Sequence, residues 1–159
     1  MLFINNIKFA ENKEKLSGEL DVAILQRLQE FLEASGTVQY ALTGFVNKDK
    51  LPVLNLKIYG KISTLCQSCF ECMDIDVSLV IEVVVVNSEE DADALMFGSD
   101  DAVDYAVVKD DKYDILSLIE DELITSFPLV IRHTTCQEVE YKDEISNPFN
   151  VLKNNFNKE

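Results

Sequence analysis

The chain has 159 residues, 47% of them hydrophobic, and its 29 acidic against 14 basic side chains give a net charge of −15. Length and composition are those of one globular domain, so we predict a single domain over residues 1–159. The acidic excess argues against a broad nucleic-acid-binding face, which needs clustered Lys and Arg. Two interpretations remain open, because the charge either only keeps the protein in solution or also attracts a basic partner.

Signals for export and for a membrane span are both missing from the sequence. The N-terminus lacks a basic stretch followed by an apolar one, so we expect no secretory signal and a cytoplasmic protein. The longest apolar run, residues 77–86, is broken by Ser78 and Glu82 and is too short to cross a bilayer. The four cysteines are therefore expected as thiols or metal ligands rather than as disulfides.

A helix is the first strong element along the chain. Asp21 stands at its start, apolar residues follow at helical spacing, and Gly36 closes it. We therefore predict a helix over residues 21–34 that packs an apolar face on the core.

Strands are predicted next. Residues 37–46 are rich in β-branched and aromatic types, and residues 52–62 alternate apolar with polar side chains, as a half-buried strand does. A polar turn at 47–50 joins them, and residues 74–86 supply a third strand. This succession favours an antiparallel meander.

The second half of the chain is more polar. Residues 87–101 are predicted as an acidic loop with a short helix, and residues 103–108 as a short strand. Residues 114–126 are predicted as the second main helix, with acidic residues toward its N-terminal half and Pro128 beyond its end. A polar tail follows at 138–159. The predicted fold class is α+β, with an antiparallel, strongly curved or barrel-like sheet and these two main helices.

Cysteines supply the main candidate for chemistry. Cys66 and Cys69 form a C-x-x-C between two predicted strands, from where two thiolates can bind one metal ion. His133 and Cys136 would complete a Cys3His set, for which zinc is the expected metal. Reduced, partly buried thiols and a redox role remain as alternatives. A thiol oxidoreductase is disfavoured, because such enzymes carry the motif at a helix N-terminus.

Other catalytic arrangements find little support. The chain has one His and five Gly, and no nucleophile elbow, P-loop or dinucleotide motif is present. The competing class is an RNA-processing or a thiol- or zinc-dependent enzyme. Direct RNA binding through a local patch is a third alternative. The residues available for it are three cations and two aromatics: Lys57, Lys61, Arg132, Tyr59 and Phe70.

Four segments follow one another in a specific order. An alternating strand leads to the C-x-x-C at 54–69, and an acidic helix leads to Phe-Pro-Leu at 114–129. His133 and Cys136 come next, and Asn-Pro-Phe-Asn-Val-Leu follows at 147–152. In this order and spacing the chain resembles the YceD family of large ribosomal RNA accumulation proteins. The resemblance extends over most of the sequence.

The resemblance implies a role in the accumulation of large-subunit ribosomal RNA, and the family has no established chemical reaction. Its genes commonly neighbour that of a small basic zinc-ribbon protein of the large subunit. Together with the net charge of −15, this suggests a non-enzymatic ribosome-biogenesis factor. Its partner would be a basic ribosomal protein or a pre-ribosomal large-subunit particle.

Two short segments are the candidate partner contacts, and each has a structural alternative. The first could instead be a solvated helix face, and the second could begin a helix that docks its aromatic residue on the core. The candidates are Glu120, Asp121, Glu122, Asn147, Pro148 and Phe149.

Overall fold

The computed structural model describes residues 2–86, 88–96, 104–107 and 112–136. Strands alternate with short helices in this part of the chain. In chain order the elements are β1 (Phe3–Ile4), α1 (Asn6–Glu11), β2 (Lys15–Asp21), a 3-10 turn (Val22–Ile24), α2 (Gln26–Phe31), β3 (Ser35–Val46), β4 (Pro52–Leu65), β5 (Cys72–Val86), α3 (Glu89–Met96), β6 (Asp104–Val107), β7 (Tyr113–Asp114) and α4 (Ile115–Ser126).

Five of the described strands form one open sheet in the order β2-β3-β4-β5-β6, and β1 pairs with β7 apart from it. Strands β2 to β5 make the expected antiparallel meander. In contrast, β6 runs parallel to β5. The predicted barrel-like or strongly curved sheet is wrong. A barrel needs its two edge strands to pair with each other, and here β2 and β6 lie at opposite edges.

Strand β4 illustrates how residue pattern becomes structure. Its alternate apolar residues from Leu54 to Ile62 are fully buried, whereas Lys57 between them is exposed. β4 pairs with β3 and β5 on its two sides. The period-two prediction for residues 52–62 is therefore confirmed. On β3, a side chain at Gly44 would collide with the backbone of Phe9, so the missing Cβ lets α1 lie directly on the sheet.

The main core lies on the face of the sheet that packs against α1, α2 and α4, with Ile115, Ile119 and Leu123 of α4 contributing fully buried side chains. Successive residues of a strand point to opposite faces. At the end of β5, Val84 and Val86 accordingly join a second, smaller cluster with α3. Residues 83–86 are thus buried on both faces of the sheet.

The helix predicted over 21–34 is present only in fragments. Asp21 still belongs to β2, its carboxylate accepts a hydrogen bond from the Ala23 N–H, and a 3-10 turn follows. Leu25 is extended, with φ −84° and ψ 97°, and α2 begins only after it. The apolar stripe is buried only in part, because Leu28 lies fully inside the core whereas Ile24 is 58% and Phe31 43% exposed. The pattern therefore identified most of the buried residues, and the predicted continuity of the helix is wrong.

The helix predicted over 114–126 is found as α4. Asp114 caps it, since its Oδ1 accepts a hydrogen bond from the Leu116 N–H at 3.0 Å. Within the predicted acidic loop 87–101, residues 89–96 form α3. Residues 97–101 and the predicted tail 138–159 lie outside the described residues. None of the described helices has both the length and the apolar character needed to span a bilayer.

Candidate metal centre

The first arm of the candidate centre is the turn between β4 and β5, residues 66–71. The Cys66 N–H donates to the Glu71 carbonyl and the Phe70 N–H donates to the Cys66 carbonyl, both at 2.9 Å. Phe70 has a φ of 61°, in the left-handed region that bulky residues rarely adopt. This tight turn brings the thiols of Cys66 and Cys69 within 4.8 Å of each other.

The second arm is the segment after α4, residues 127–136. Phe127 is extended before Pro128, which ends the helix. Ile131 then returns to the core and is 2% exposed. Two hydrogen bonds clamp this arm to the first, because the Gln67 N–H donates to the Ile131 carbonyl at 2.9 Å and the Ile131 N–H donates to Gln67 Oε1 at 3.1 Å.

The two arms bring four potential ligands together. Cys66 Sγ lies 3.3 Å from Cys136 Sγ. His133 Nδ1 lies 3.4 Å from Cys69 Sγ and 3.5 Å from Cys136 Sγ. All four ligand atoms lie within 4.8 Å of one another, with Cys66 buried and Cys69 exposed. The cluster is therefore anchored in the protein on one side and open to solvent at the tip of the hairpin.

The thiols of Cys66 and Cys136 in this cluster have pKa values that are shifted in opposite directions. Burial alone would raise the pKa of Cys66, but hydrogen bonds from the backbone of Cys69, His133 and Ser68 and from the Cys136 thiol lower that pKa to about 5. The pKa of Cys136 rises to about 11, because its thiol is hydrogen-bonded to Cys66 and Cys69 and is partly buried. Negative charge thus gathers at Cys66 while Cys136 keeps its proton. A bound cation is what would let these sulfur atoms be thiolates together.

The arrangement fits a structural zinc ion. With sulfur about 2.3 Å and nitrogen about 2.0 Å from the metal, two sulfur atoms of a tetrahedral site lie about 3.8 Å apart, and a sulfur and a nitrogen about 3.5 Å apart. The sulfur–nitrogen separations of 3.4 and 3.5 Å found here agree with that spacing. The sulfur atoms of Cys66 and Cys136, which lie 3.3 Å apart, would separate by about 0.5 Å around a metal ion. The structure therefore brings together all four predicted ligands in a group that could hold a metal such as zinc. Cys72, which is exposed on β5, is not a member of this group.

Glu120 has a structural role that its sequence context did not indicate. It is buried on α4, and its Oε1 accepts hydrogen bonds from the backbone N–H groups of Arg27 at 2.7 Å and Leu28 at 3.1 Å. Its Oε2 accepts from Arg27 Nε at 3.1 Å. Leu25, at the start of α2, provides no side-chain cap. Glu120 therefore caps α2 from a different helix, and its carboxylate is directed inward rather than toward solvent or a partner.

The other predicted partner contacts differ from Glu120. Asp121 forms an ion pair with Arg27 at 2.6 Å, and its side chain is 55% exposed. Glu122 is half-buried, and its pKa is raised by burial and then by the charges of Asp104 and Asp121. Asp121 and Glu122 remain predictions as partner contacts. The predicted contacts Asn147, Pro148 and Phe149 lie outside the described residues.

The five residues weighed for RNA binding fall into two groups. Lys57, Tyr59 and Lys61 follow one another along the exposed face of β4, and the remaining two belong to the arms of the metal centre. The Lys61 ammonium lies 3.7 Å from the Asp74 carboxylate and 3.9 Å from that of Asp76. Part of the positive charge on this face is therefore offset within the sheet.

A cleft of about 420 Å³ lies at the other end of β4, between α1, α3 and the turn before β4. Apolar residues such as Val46, Pro52 and Val85 line most of it, and Glu11 and Lys50 are among its charged members. Its described lining contains neither His nor Cys. The cleft and the metal centre therefore lie at opposite ends of the β4–β5 hairpin.

Both arms lie in the part of the sequence that matches the model of a known protein family. The family model described as "Large ribosomal RNA subunit accumulation protein YceD" matches residues 54–154, which is more than half of the chain. The chain belongs to the YceD family. The match to YceD covers β4 from Leu54 onward, both arms of the metal centre and α4, whereas α1, β2, α2 and β3 precede it. No curated protein and no solved structure gives a significant match.

Sequence reasoning missed the residues that hold the YceD centre and its surroundings together. Gln67 lies inside the C-x-x-C, but nothing in that motif indicates a clamp to Ile131. Ile131 offered a weak signal as an apolar residue directly before Arg132 and His133. Glu120 offered none, because its backbone partners lie more than 90 residues earlier in the chain.

Proposed function

We propose that this YceD-family protein is a non-enzymatic factor in the assembly of the large ribosomal subunit. It acts in the cytoplasm by binding a basic ribosomal protein or a pre-ribosomal particle. The observation that supports this most is the match over residues 54–154 to a family described by the accumulation of large ribosomal RNA. That description names an effect on RNA level and no chemical reaction.

The composition of the metal centre supports binding rather than catalysis. Structural zinc sites have four protein ligands, whereas catalytic sites keep one position open for water or substrate. Cys66, Cys69, His133 and Cys136 supply four ligand atoms within 4.8 Å of one another. When bound, zinc would link the hairpin tip to the second arm. In this role the four side chains hold two segments of backbone in a fixed relation, and none of them needs to move a proton to a substrate.

Charge supports a cationic partner. The chain carries 29 acidic and 14 basic residues, and among the basic ones Arg27 and Lys61 already contact carboxylates within the protein. A strongly negative molecule attracts basic proteins at long range and repels nucleic acid and other copies of itself. The basic protein, or a basic protein surface on the particle, is therefore the favoured contact.

Direct RNA contact is the second candidate, and one observation favours it. Tyr59 is 44% exposed between Lys57 and Lys61 on the outer face of β4. An aromatic residue flanked by cations is an arrangement that can stack on an unpaired base. The variant Lys57→Ser/Tyr59→Thr separates the candidates, because it should abolish crosslinking to RNA in the RNA-contact case and leave binding of a basic protein unchanged in the other.

The proposed function is tested in cells depleted of the protein. We expect the ratio of large- to small-subunit ribosomal RNA to fall and to recover when wild-type protein is supplied. Cys72→Ser should restore the ratio as wild type does, because Cys72 lies outside the ligand group. Cys69→Ser should fail to restore it. An unchanged ratio after depletion would contradict the proposed function.

A further inference from the structure

The two most exposed of the described large hydrophobic side chains belong to the two arms of the metal centre. Leu129 is 92% exposed and Phe70 is 76% exposed, and Val130 beside Leu129 is 59% exposed. We call these three residues the knuckle face, because the two arms that carry them are hydrogen-bonded to each other at Gln67 and Ile131. Apolar surface concentrated in one region of a protein commonly marks an interaction site, whereas single exposed apolar residues are ordinary. We therefore expect another molecule to cover the knuckle face.

The knuckle face is carried on a rigid support. Phe70 follows Cys69 in the first arm, and Leu129 precedes Ile131 in the second. The clamp between Gln67 and Ile131 joins the two arms through two hydrogen bonds. The metal ligands join them again a few residues further on. A preorganised apolar surface loses little conformational entropy when it binds a partner.

The backbone at Phe70 adds an independent observation. Its φ of 61° is one that glycine adopts without cost and that a bulky residue rarely adopts. Strained residues of this kind cluster at functional sites. Because the Phe70 ring is largely exposed, core packing does not compensate for the unfavourable conformation. The position of the aromatic ring at the tip of the hairpin points to contact with another molecule.

The charge of the chain decides between the possible occupants. A second copy would carry the same net charge of −15 and would be repelled, as would RNA or an anionic membrane. Glu71, directly after Phe70, lines a shallow depression together with Cys69 and His133. Arg132 is exposed in the second arm, but the overall acidic excess remains. A protein segment that carries Lys or Arg and an apolar side chain complements both the negative charge of the chain and the apolar character of the knuckle face.

We propose that the knuckle face is the docking site for a basic segment of a protein partner, with Phe70 and Leu129 as its anchors. This inference rests on the proposed function, and it specifies the surface that the basic partner would contact. A few buried anchor side chains carry most of the binding energy at such surfaces, while the acidic surroundings mainly raise the association rate.

The test uses the full chain and two defined probes, which are the protein fraction and the ribosomal RNA of purified large subunits. The retained protein is identified, and its affinity is then measured for wild type, Phe70→Gly, Leu129→Ser and the double variant. Gly suits the left-handed backbone at position 70, and Leu129 is almost fully exposed, so the fold should be preserved. Val80→Thr is the matched control, since Val80 is 59% exposed on β5, away from the arms. Metal content and unfolding temperature verify each variant.

We expect a basic protein to be retained and each single substitution to weaken its binding roughly tenfold, as for loss of an interface anchor. Val80→Thr should bind like wild type. The inference is overturned if the double variant binds within about twofold of wild type, if Val80→Thr weakens binding equally, or if only RNA is retained. The first two results would leave the proposed function standing, because that function is tested separately by the ratio of the two ribosomal RNAs after depletion. Retention of RNA alone would instead favour direct RNA contact, the second candidate.

Discussion

Replacing Glu120 by Ala should destabilise the protein strongly, although this residue lies within an acidic triplet that looks solvent-facing in the sequence. The substitution removes the acceptor for the backbone N–H groups of Arg27 and Leu28 at the start of α2. Leu25 has no side-chain cap to replace it. The change therefore leaves the first turn of α2 without partners and opens a contact between two helices that are distant in sequence.

The expected size follows from the two backbone donors. Each buried N–H group left without an acceptor costs about 1–3 kcal/mol, and water can reach one of them in part. We expect a loss of about 3 kcal/mol in the free energy of unfolding, which corresponds to a fall of about 6–12 °C in Tm for a protein of this size. Glu120→Gln keeps an oxygen acceptor and should lose less than half as much. Asp121→Ala is the control, since exposed ion pairs contribute little.

The chain has no Trp, so urea unfolding followed by far-ultraviolet circular dichroism is the suitable assay. All variants are compared at one fixed zinc concentration so that metal binding does not differ between them. The reasoning about the cap is refuted if Glu120→Ala costs no more stability than Asp121→Ala. It is also refuted if Glu120→Gln is as damaging as Glu120→Ala, because the acceptor would then not be the feature that matters.

Three further outcomes are expected. Phe70→Gly should leave Tm unchanged or raise it, because Gly relieves a left-handed backbone that costs other residues about 1–2 kcal/mol; a clear fall in Tm would contradict this. Glu122→Gln should stabilise the protein at pH 7 and have no effect near pH 3. Because burial and neighbouring carboxylates raise the Glu122 pKa in the folded state, ionisation lowers stability as pH rises through that pKa, and a pH-independent effect would contradict the reasoning. In metal-free protein, oxidation by diamide should form a disulfide bond between Cys66 and Cys136, whose sulfur atoms lie 3.3 Å apart, and the diamide is reduced to its hydrazine. Mass spectrometry identifies the disulfide, and finding Cys72 in the main product would contradict this prediction.

Local patterns predicted much of the sheet and one helix. The alternation from Leu54 to Ile62 identified β4 because a half-buried strand needs period two. α4 was predictable because Asp114 caps it and Pro128 lies just beyond its end. The four candidate metal ligands could be proposed from residue type and from C-x-x-C spacing, with unligated thiols as the alternative, and the structure brings all four together.

Features that depend on distant residues were not predictable. The helix expected over 21–34 is interrupted at Leu25, and Glu120, far along the chain, supplies the cap with which α2 begins at Gln26 without a local signal. The open shape of the sheet depends on β2 and β6 lying at opposite edges, and no pattern within one strand carries that information. The clamp between Gln67 and Ile131 likewise exists only once both arms are folded.

The metal content of the purified protein tests the account most directly, because a zinc ion held by all four ligands would fix the two arms that carry the knuckle face, in addition to the clamp between Gln67 and Ile131. Protein purified without chelator is analysed for zinc per chain, alongside Cys69→Ser and the matched control Cys72→Ser. The account predicts about one zinc per chain in wild type and in Cys72→Ser, and a marked loss in Cys69→Ser. Less than about a tenth of a zinc per wild-type chain, or equal loss from both variants, would contradict it.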